Sequence, residues 1–181
     1  MEVSQNTNLK MIDKSIKFFG INIAILTISD TRNFDNDKSG STLRKLVEDC
    51  GHRCILRDIV KDEPKELLSI FNKWTNNKNL DVIITTGGTG LTGRDITVDV
   101  LETYFDKKID GFGELFRFIS YQKIGTSSIQ SRAIAGTKNG KFIFCLPGSP
   151  SACKDAWEEI LKFQLDIRHK PCNFVEIMPR L

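Results

Sequence analysis

The stretch Val82-Ile83-Ile84-Thr85-Thr86-Gly87-Gly88-Thr89-Gly90 joins an apolar, β-branched run to a glycine-rich turn, and the chain continues from it toward Asp95-Ile96-Thr97. An aliphatic run unbroken by charge suits a strand covered on both faces, as in a parallel sheet. Gly87, Gly88 and Gly90 carry no Cβ, so the N–H groups that follow the strand are open to close approach by an anion. A tight strand-to-helix turn with no ligand would use the same glycines. Two familiar phosphate patterns are excluded, because there is no Gly-x-x-x-x-Gly-Lys-Ser/Thr and the spacing is not Gly-x-Gly-x-x-Gly.

Working outward, Ile21 to Ile28 reads as a first buried strand that stops at Ser29-Asp30. Asp37-Lys38-Ser39-Gly40 opens a helix, with Leu43, Leu46, Val47 and Cys50 on one face and Gly51 as its stop. Cys54 to Val60 is a second strand. Asp62-Glu63-Pro64 then starts a helix in which Asp62 can cap, Pro64 fits the first turn, and Leu67, Leu68, Phe71 and Trp74 form the buried stripe. Beyond the glycine turn, Thr97 can cap a short helix with Val98, Leu101 and Phe105 on one face. Asp106 to Gly113 is a turn-rich link, and Glu114 to Tyr121 is a helix that buries Leu115, Phe118 and Ile119. Gly125 to Arg132 is polar and irregular, which marks a pocket or a subunit contact. Asn139-Gly140 between two apolar runs signals an antiparallel hairpin. Ser149 followed by Pro150 starts a helix that buries Cys153, Trp157, Ile160, Leu161 and Leu165.

The alternation predicts an α/β fold: a three-layer α/β/α sandwich on a doubly wound, mostly parallel sheet with one antiparallel strand. Residues 1–17 are polar enough to form an arm, leaving 18–181 as the domain. With 181 residues, 40% hydrophobic and 27% charged, the chain can bury one core. Its 26 basic and 23 acidic residues are interspersed and net only +3, so no basic stripe for nucleic acid exists. Five cysteines without Cys-x-x-Cys, no membrane-length apolar run and no signal-peptide core predict reduced thiols in a cytoplasmic protein. His52 and His169 lack ligand-like spacing and are expected at the surface or in loops.

Each predicted parallel strand ends in polar residues, so Ser29-Asp30, Asp62, the glycine turn with Asp95 and Thr97, and Gly148-Ser149 should converge on one edge of the sheet. Backbone donors at the glycine turn and at the helix start after Ser149 suit phosphate oxygens, and two aspartates suit a hard divalent cation. On the residues alone, Asp62 reads first as a helix cap worth about 1 kcal/mol, ahead of a metal or phosphate role.

Six segments in this order resemble the MoaB and MogA proteins of molybdenum cofactor biosynthesis and the G domain of gephyrin. They are Leu26-Thr27-Ile28-Ser29-Asp30, Asp37-Lys38-Ser39-Gly40, Thr85-Thr86-Gly87-Gly88-Thr89-Gly90, Arg94-Asp95-Ile96-Thr97, Gly111-Phe112-Gly113-Glu114 and Pro147-Gly148-Ser149-Pro150. Gly125 to Arg132 and the ending Pro171-Cys172-Asn173-Phe174 look more like the MoaB branch. The resemblance implies a molybdopterin adenylyltransferase that uses ATP and magnesium and releases pyrophosphate, before a second protein inserts molybdate. It further implies that Asp62 and Asp95 hold the metal and position the reacting phosphates. The implied molybdopterin and nucleotide contacts are Ser29, Asp30, Gly40, Thr86, Gly87, Gly88, Thr89, Gly90, Thr97, Glu114, Gly148 and Ser149. Some MoaB proteins look inactive because they lack acids at the places matched by Asp62 and Asp95; this chain has both. A trimer or hexamer is implied, with the molybdate-inserting protein as a further partner. The alternative is a protein of the same pathway that binds molybdopterin without catalysis.

Overall fold

In the computed structural model, which describes residues 11–181, the strand before the glycine turn is β4 (Val82–Thr86), and every one of its residues is buried. It pairs in parallel with β2 (Asn22–Ile28) on one side and with β7 (Lys141–Leu146) on the other, Thr86 lying opposite Thr27 and Leu146. The full order is β3-β2-β4-β7-β6-β5, with β3 at Arg53–Val60, β5 at Lys107–Lys108 and β6 at Ile134–Lys138. β6 runs antiparallel to both neighbours, so it alone opposes the direction of this sheet. Asn139 and Gly140, both at positive φ, make the tight turn from β6 to β7.

Side chains alternate across the sheet and feed two cores. Ile23, Ile25, Val82, Ile84, Phe142 and Phe144 point to one side, where they pack against α1 (Lys38–Asp49), α4 (Asp110–Ile124) and α5 (Pro150–Ala156). Ala24, Leu26, Ile83, Ile143 and Cys145 point to the other, against α2 (Pro64–Thr75) and α3 (Thr97–Tyr104). The result is the expected three-layer sandwich. The helix after α5 continues through a π-helical turn at Trp157–Leu161 into α6 (Lys162–Gln164), and α7 (Phe174–Ile177) follows near the C-terminus. Among the described residues no helix is long and apolar enough to cross a membrane. Burial pushes the thiols of Cys145 and Cys153 up to about 12, as packed and unreactive groups require.

Several local expectations are corrected by tertiary packing. Glu63, not Asp62, occupies the cap position of α2, and it makes no side-chain cap bond. The α2 stripe uses Ile70 in place of Leu68, which is exposed. Thr97 is the first residue of α3 rather than its cap. Helix α4 begins at Asp110, inside the expected link, and buries Phe112, Phe116 and Ser120 while Leu115 and Phe118 face outward. Both faces of α4 are apolar, and the inward one is selected by aromatic packing, with the Phe112 and Phe144 ring centroids 5.2 Å apart. The 125–132 stretch begins with a 3-10 helix, Gly125–Gln130. His52 and His169 are buried, His52 Nδ1 accepting the Ile21 N–H at 3.3 Å. Of the expected arm, residues 1–10 lie outside the described residues, and β1 (Met11–Ile12) pairs antiparallel with β8 (His169–Lys170).

Candidate functional site

The C-terminal ends of β2, β4 and β7 lie side by side, and the loops that leave them make the site. Gly87 sits at φ +102° with its N–H on the Leu146 carbonyl at 3.0 Å, and a methyl group there would stand 2.1 Å from the Ile28 oxygen. Gly88, at φ +65°, passes directly over Asp62 and Thr97: an added methyl would lie 2.6 Å from Asp62 Oδ2 and 2.0 Å from Thr97 Oγ1. Only glycine meets both conditions, the left-handed backbone and the close approach.

The second loop is fixed to the first. Thr86 is fully buried and its hydroxyl donates to the Pro147 carbonyl at 2.9 Å, which draws Gly148 toward Gly87. Ser149 accepts the Ala152 N–H at 3.1 Å as the cap of α5, and the same helix end faces the site. Gly87, Gly88, Thr89, Gly90, Asp95, Gly148 and Ser149 all line one cavity of about 420 Å³. Its far wall comes from Phe116, Ser120 and Ile124 of α4, from Ser127 and Gln130 of the 3-10 helix, and from Ser131 just after it. Those wall residues are not separately legible in the sequence, although the irregularity of Gly125 to Arg132 marked their neighbourhood. A smaller cavity of about 260 Å³ shares Gly87 and Gly148 with the first and is lined by Ser29, Asp37, Ser39 and Thr86 among others.

Asp62 is 7% exposed and has no ion-pair partner among the described residues. Its Oδ1 accepts the Thr97 hydroxyl at 3.0 Å. Burial raises its pKa above the ordinary carboxylate value; bonds from the Thr97 hydroxyl and the Ile96 backbone oppose the shift, and the charges of Asp95 and Asp30 add to it. Asp95 is held low instead, chiefly by the Thr92 hydroxyl at 2.5 Å, with the Thr92 N–H at 3.0 Å assisting. Asp30 is ion-paired to Arg94 at 2.7 Å, and that bond chiefly holds its carboxyl below the ordinary value. Ser29 Oγ is engaged by the N–H groups of Thr31 and Arg32, each at 3.2 Å.

Two predicted contacts sit elsewhere. Gly40 lies against a buried network in which Asp37 accepts from Gly40 N, from Thr27 Oγ1 and from Arg57 Nη2, and it lines neither of the two cavities just described, although Thr27, Asp37 and Ser39 line the smaller. Glu114 lines a separate cavity of about 420 Å³ with Arg117 and Arg132, which meets the glycine-loop cavity only at Ser131. The Asp37–Arg57 pair, which anchors the start of α1 beside the site, has no local signal in the sequence.

Among the described residues no three His, Cys, Asp or Glu side chains converge to hold an ion unaided. Asp62 and Asp95 could supply the protein share of a magnesium site, since that ion binds through one or two carboxylates, retained water and substrate phosphates.

A family model described as a probable molybdopterin binding domain matches residues 24–167. "Molybdenum cofactor biosynthesis protein B" of Escherichia coli (strain K12) is 43% identical over 164 residues, covering 91% of this chain and 96% of that protein. A crystal structure of a molybdenum cofactor biosynthesis protein B superposes with a TM-score of 0.79 at 40% identity, covering 81% of this chain and 92% of the other. The tungsten cofactor synthesizing protein MoaB from Pyrococcus furiosus gives a TM-score of 0.69 at 33% identity, covering 78% and 91%.

Proposed function

The chain belongs to the MoaB/MogA family of molybdenum cofactor biosynthesis proteins, and on that premise we propose that it is a molybdopterin adenylyltransferase, converting molybdopterin and ATP to adenylyl-molybdopterin and pyrophosphate. The observation that carries this reading is Asp62: a buried carboxylate without a cationic partner among the described residues, set directly beneath Gly88 of the glycine-rich loop. Left alone, such a group repels phosphate; with magnesium it attracts it.

Asp62 and Asp95 would hold the metal, which when bound offsets the charge that builds on the departing pyrophosphate. The chain itself supplies positioning. The loop from Gly88 to Gly90 and the Ser151 N–H at the start of α5 receive phosphate oxygens, the Gly87 and Ala152 N–H groups being taken by Leu146 and Ser149, and the cavity walled by Phe116 and Ile124 accepts the flat pterin and excludes water from it. An oxygen of the pterin phosphate then attacks the α-phosphorus of ATP while the bond to the β-phosphate oxygen breaks, so no residue becomes covalently modified. Thr97 holds Asp62 in place through its hydroxyl.

Pyrophosphate release tests the reading. It should require molybdopterin and ATP together and vanish when either is omitted. A binding protein without transfer is the second reading, favoured by the tie between Asp95 and Thr92, and protein that binds molybdopterin but releases no pyrophosphate would establish it.

Assembly is part of the proposal. Phe118 on α4 is 61% exposed and Ile129 on the adjoining 3-10 turn 83%, with Leu115, Tyr121 and Ile124 exposed nearby. An apolar surface of this kind is normally covered, and a trimer, or two trimers as a hexamer, covers it here. Light scattering at micromolar concentration should report three or six chains; a monomer would rule the assembly out.

A further inference from the structure

Arg94 precedes Asp95, yet its guanidinium is bonded to two other acids. Nε and Nη2 donate to Asp30 Oδ2 at 3.2 and 2.7 Å, and Nη1 donates to Glu63 Oε1 at 3.0 Å. These links join three loops that are far apart in sequence. Glu63 directly follows Asp62, whose Oδ2 lies against Gly88, and Arg94 directly precedes Asp95, which lines the glycine-loop cavity, so the guanidinium is tied to the neighbours of both aspartates.

The charge balance there is unfavourable for a polyphosphate. Asp95 lines the cavity, Asp62 is buried under Gly88, and Asp30 and Glu63 are held beside them on Arg94, while a nucleoside triphosphate adds about four negative charges of its own, more than one divalent cation offsets. A mobile cation would meet the deficit. Arg94 is 60% exposed, Asp30 38% and Glu63 46%, and ion pairs this exposed hold their partners weakly because both ends are readily resolvated. Arginine and phosphate, by contrast, form two parallel charge-assisted bonds.

We propose that Arg94 is a phosphate-binding residue of this site, held on Asp30 and Glu63 in the free protein and passed to the polyphosphate of the incoming nucleotide. The proposal rests on reading the glycine loop as a nucleotide site. Binding then exchanges two solvent-exposed pairs for one pair with phosphate, and Asp30 and Glu63 act as competitors that keep the site from retaining stray anions.

Calorimetric titration with inorganic pyrophosphate, at fixed excess magnesium and fixed ionic strength, separates the possibilities. Arg94→Gln should bind pyrophosphate about tenfold or more weakly, the loss expected for a charge-assisted contact. Glu63→Gln removes a competitor and should bind about two- to fivefold more tightly. A purely structural Arg94 predicts no gain from Glu63→Gln, and that result, or unchanged affinity in Arg94→Gln, overturns the proposal while leaving the enzymatic reading intact. Wild-type protein that fails to bind pyrophosphate overturns both.

Discussion

Asp62→Asn is expected to lower adenylyl transfer by about a hundredfold or more while leaving the melting temperature unchanged or raised. The amide keeps an oxygen for the Thr97 hydroxyl but loses the charge that a metal needs. Its effect on stability follows from the raised pKa of Asp62. A carboxyl whose folded pKa lies above its unfolded value stabilises the fold below the unfolded pKa, and that contribution is lost as pH rises through the folded pKa. At neutral pH the ionised carboxylate is therefore a cost, which the amide removes. The difference between variant and wild type should grow from acid to neutral pH in melts run with chelator. Because Asp62 does not cap α2, no cap energy is lost to obscure the result. An active Asp62→Asn, or one that melts well below wild type at neutral pH, would show that Asp62 is structural.

Gly87→Ala is the second large effect, and it acts on the fold itself. The backbone there is at φ +102°, and the new methyl would stand 2.1 Å from the Ile28 carbonyl, a backbone atom of β2 that cannot rotate aside. Strain and overlap together should cost on the order of 3 kcal/mol or more. For a chain of this size that lowers the melting temperature by roughly 6–12 °C. Gly93→Ala is the control, because nothing lies within 4 Å of its added methyl, and it should stay within about 0.5 kcal/mol of wild type. Thermal melts by circular dichroism distinguish the two, and a Gly87→Ala protein as stable as the control would contradict the loop geometry.

What the sequence discloses is chiefly what is local. The β-branched run before Gly87, the Asn139-Gly140 turn and the Ser149-Pro150 helix start each carry their own backbone chemistry within a few residues, and each stands where it was expected. Helix α4 is harder, because Leu115 and Phe118 compete with Phe112 and Phe116 for the core, and only Phe144 on a distant strand decides between them. Asp62 looks like a cap until Thr97, 35 residues later, supplies the partner that turns it under Gly88. The Arg57–Asp37 and Arg94–Asp30 pairs are invisible for the same reason. Glu114 shares a motif with the resemblance but lies in a different cavity, a distinction that only the course of α4 against β6 makes.

Mass spectrometry of the pterin after incubation with purified protein, ATP and magnesium tests the proposed chemistry most directly, with wild type run beside Asp95→Asn. Wild type should convert molybdopterin to its adenylylated form with one pyrophosphate released per pterin, and Asp95→Asn should retain pterin binding while conversion falls by about a hundredfold or more. Wild-type protein that binds the pterin and returns it unmodified, or an Asp95→Asn protein as active as wild type, would contradict it.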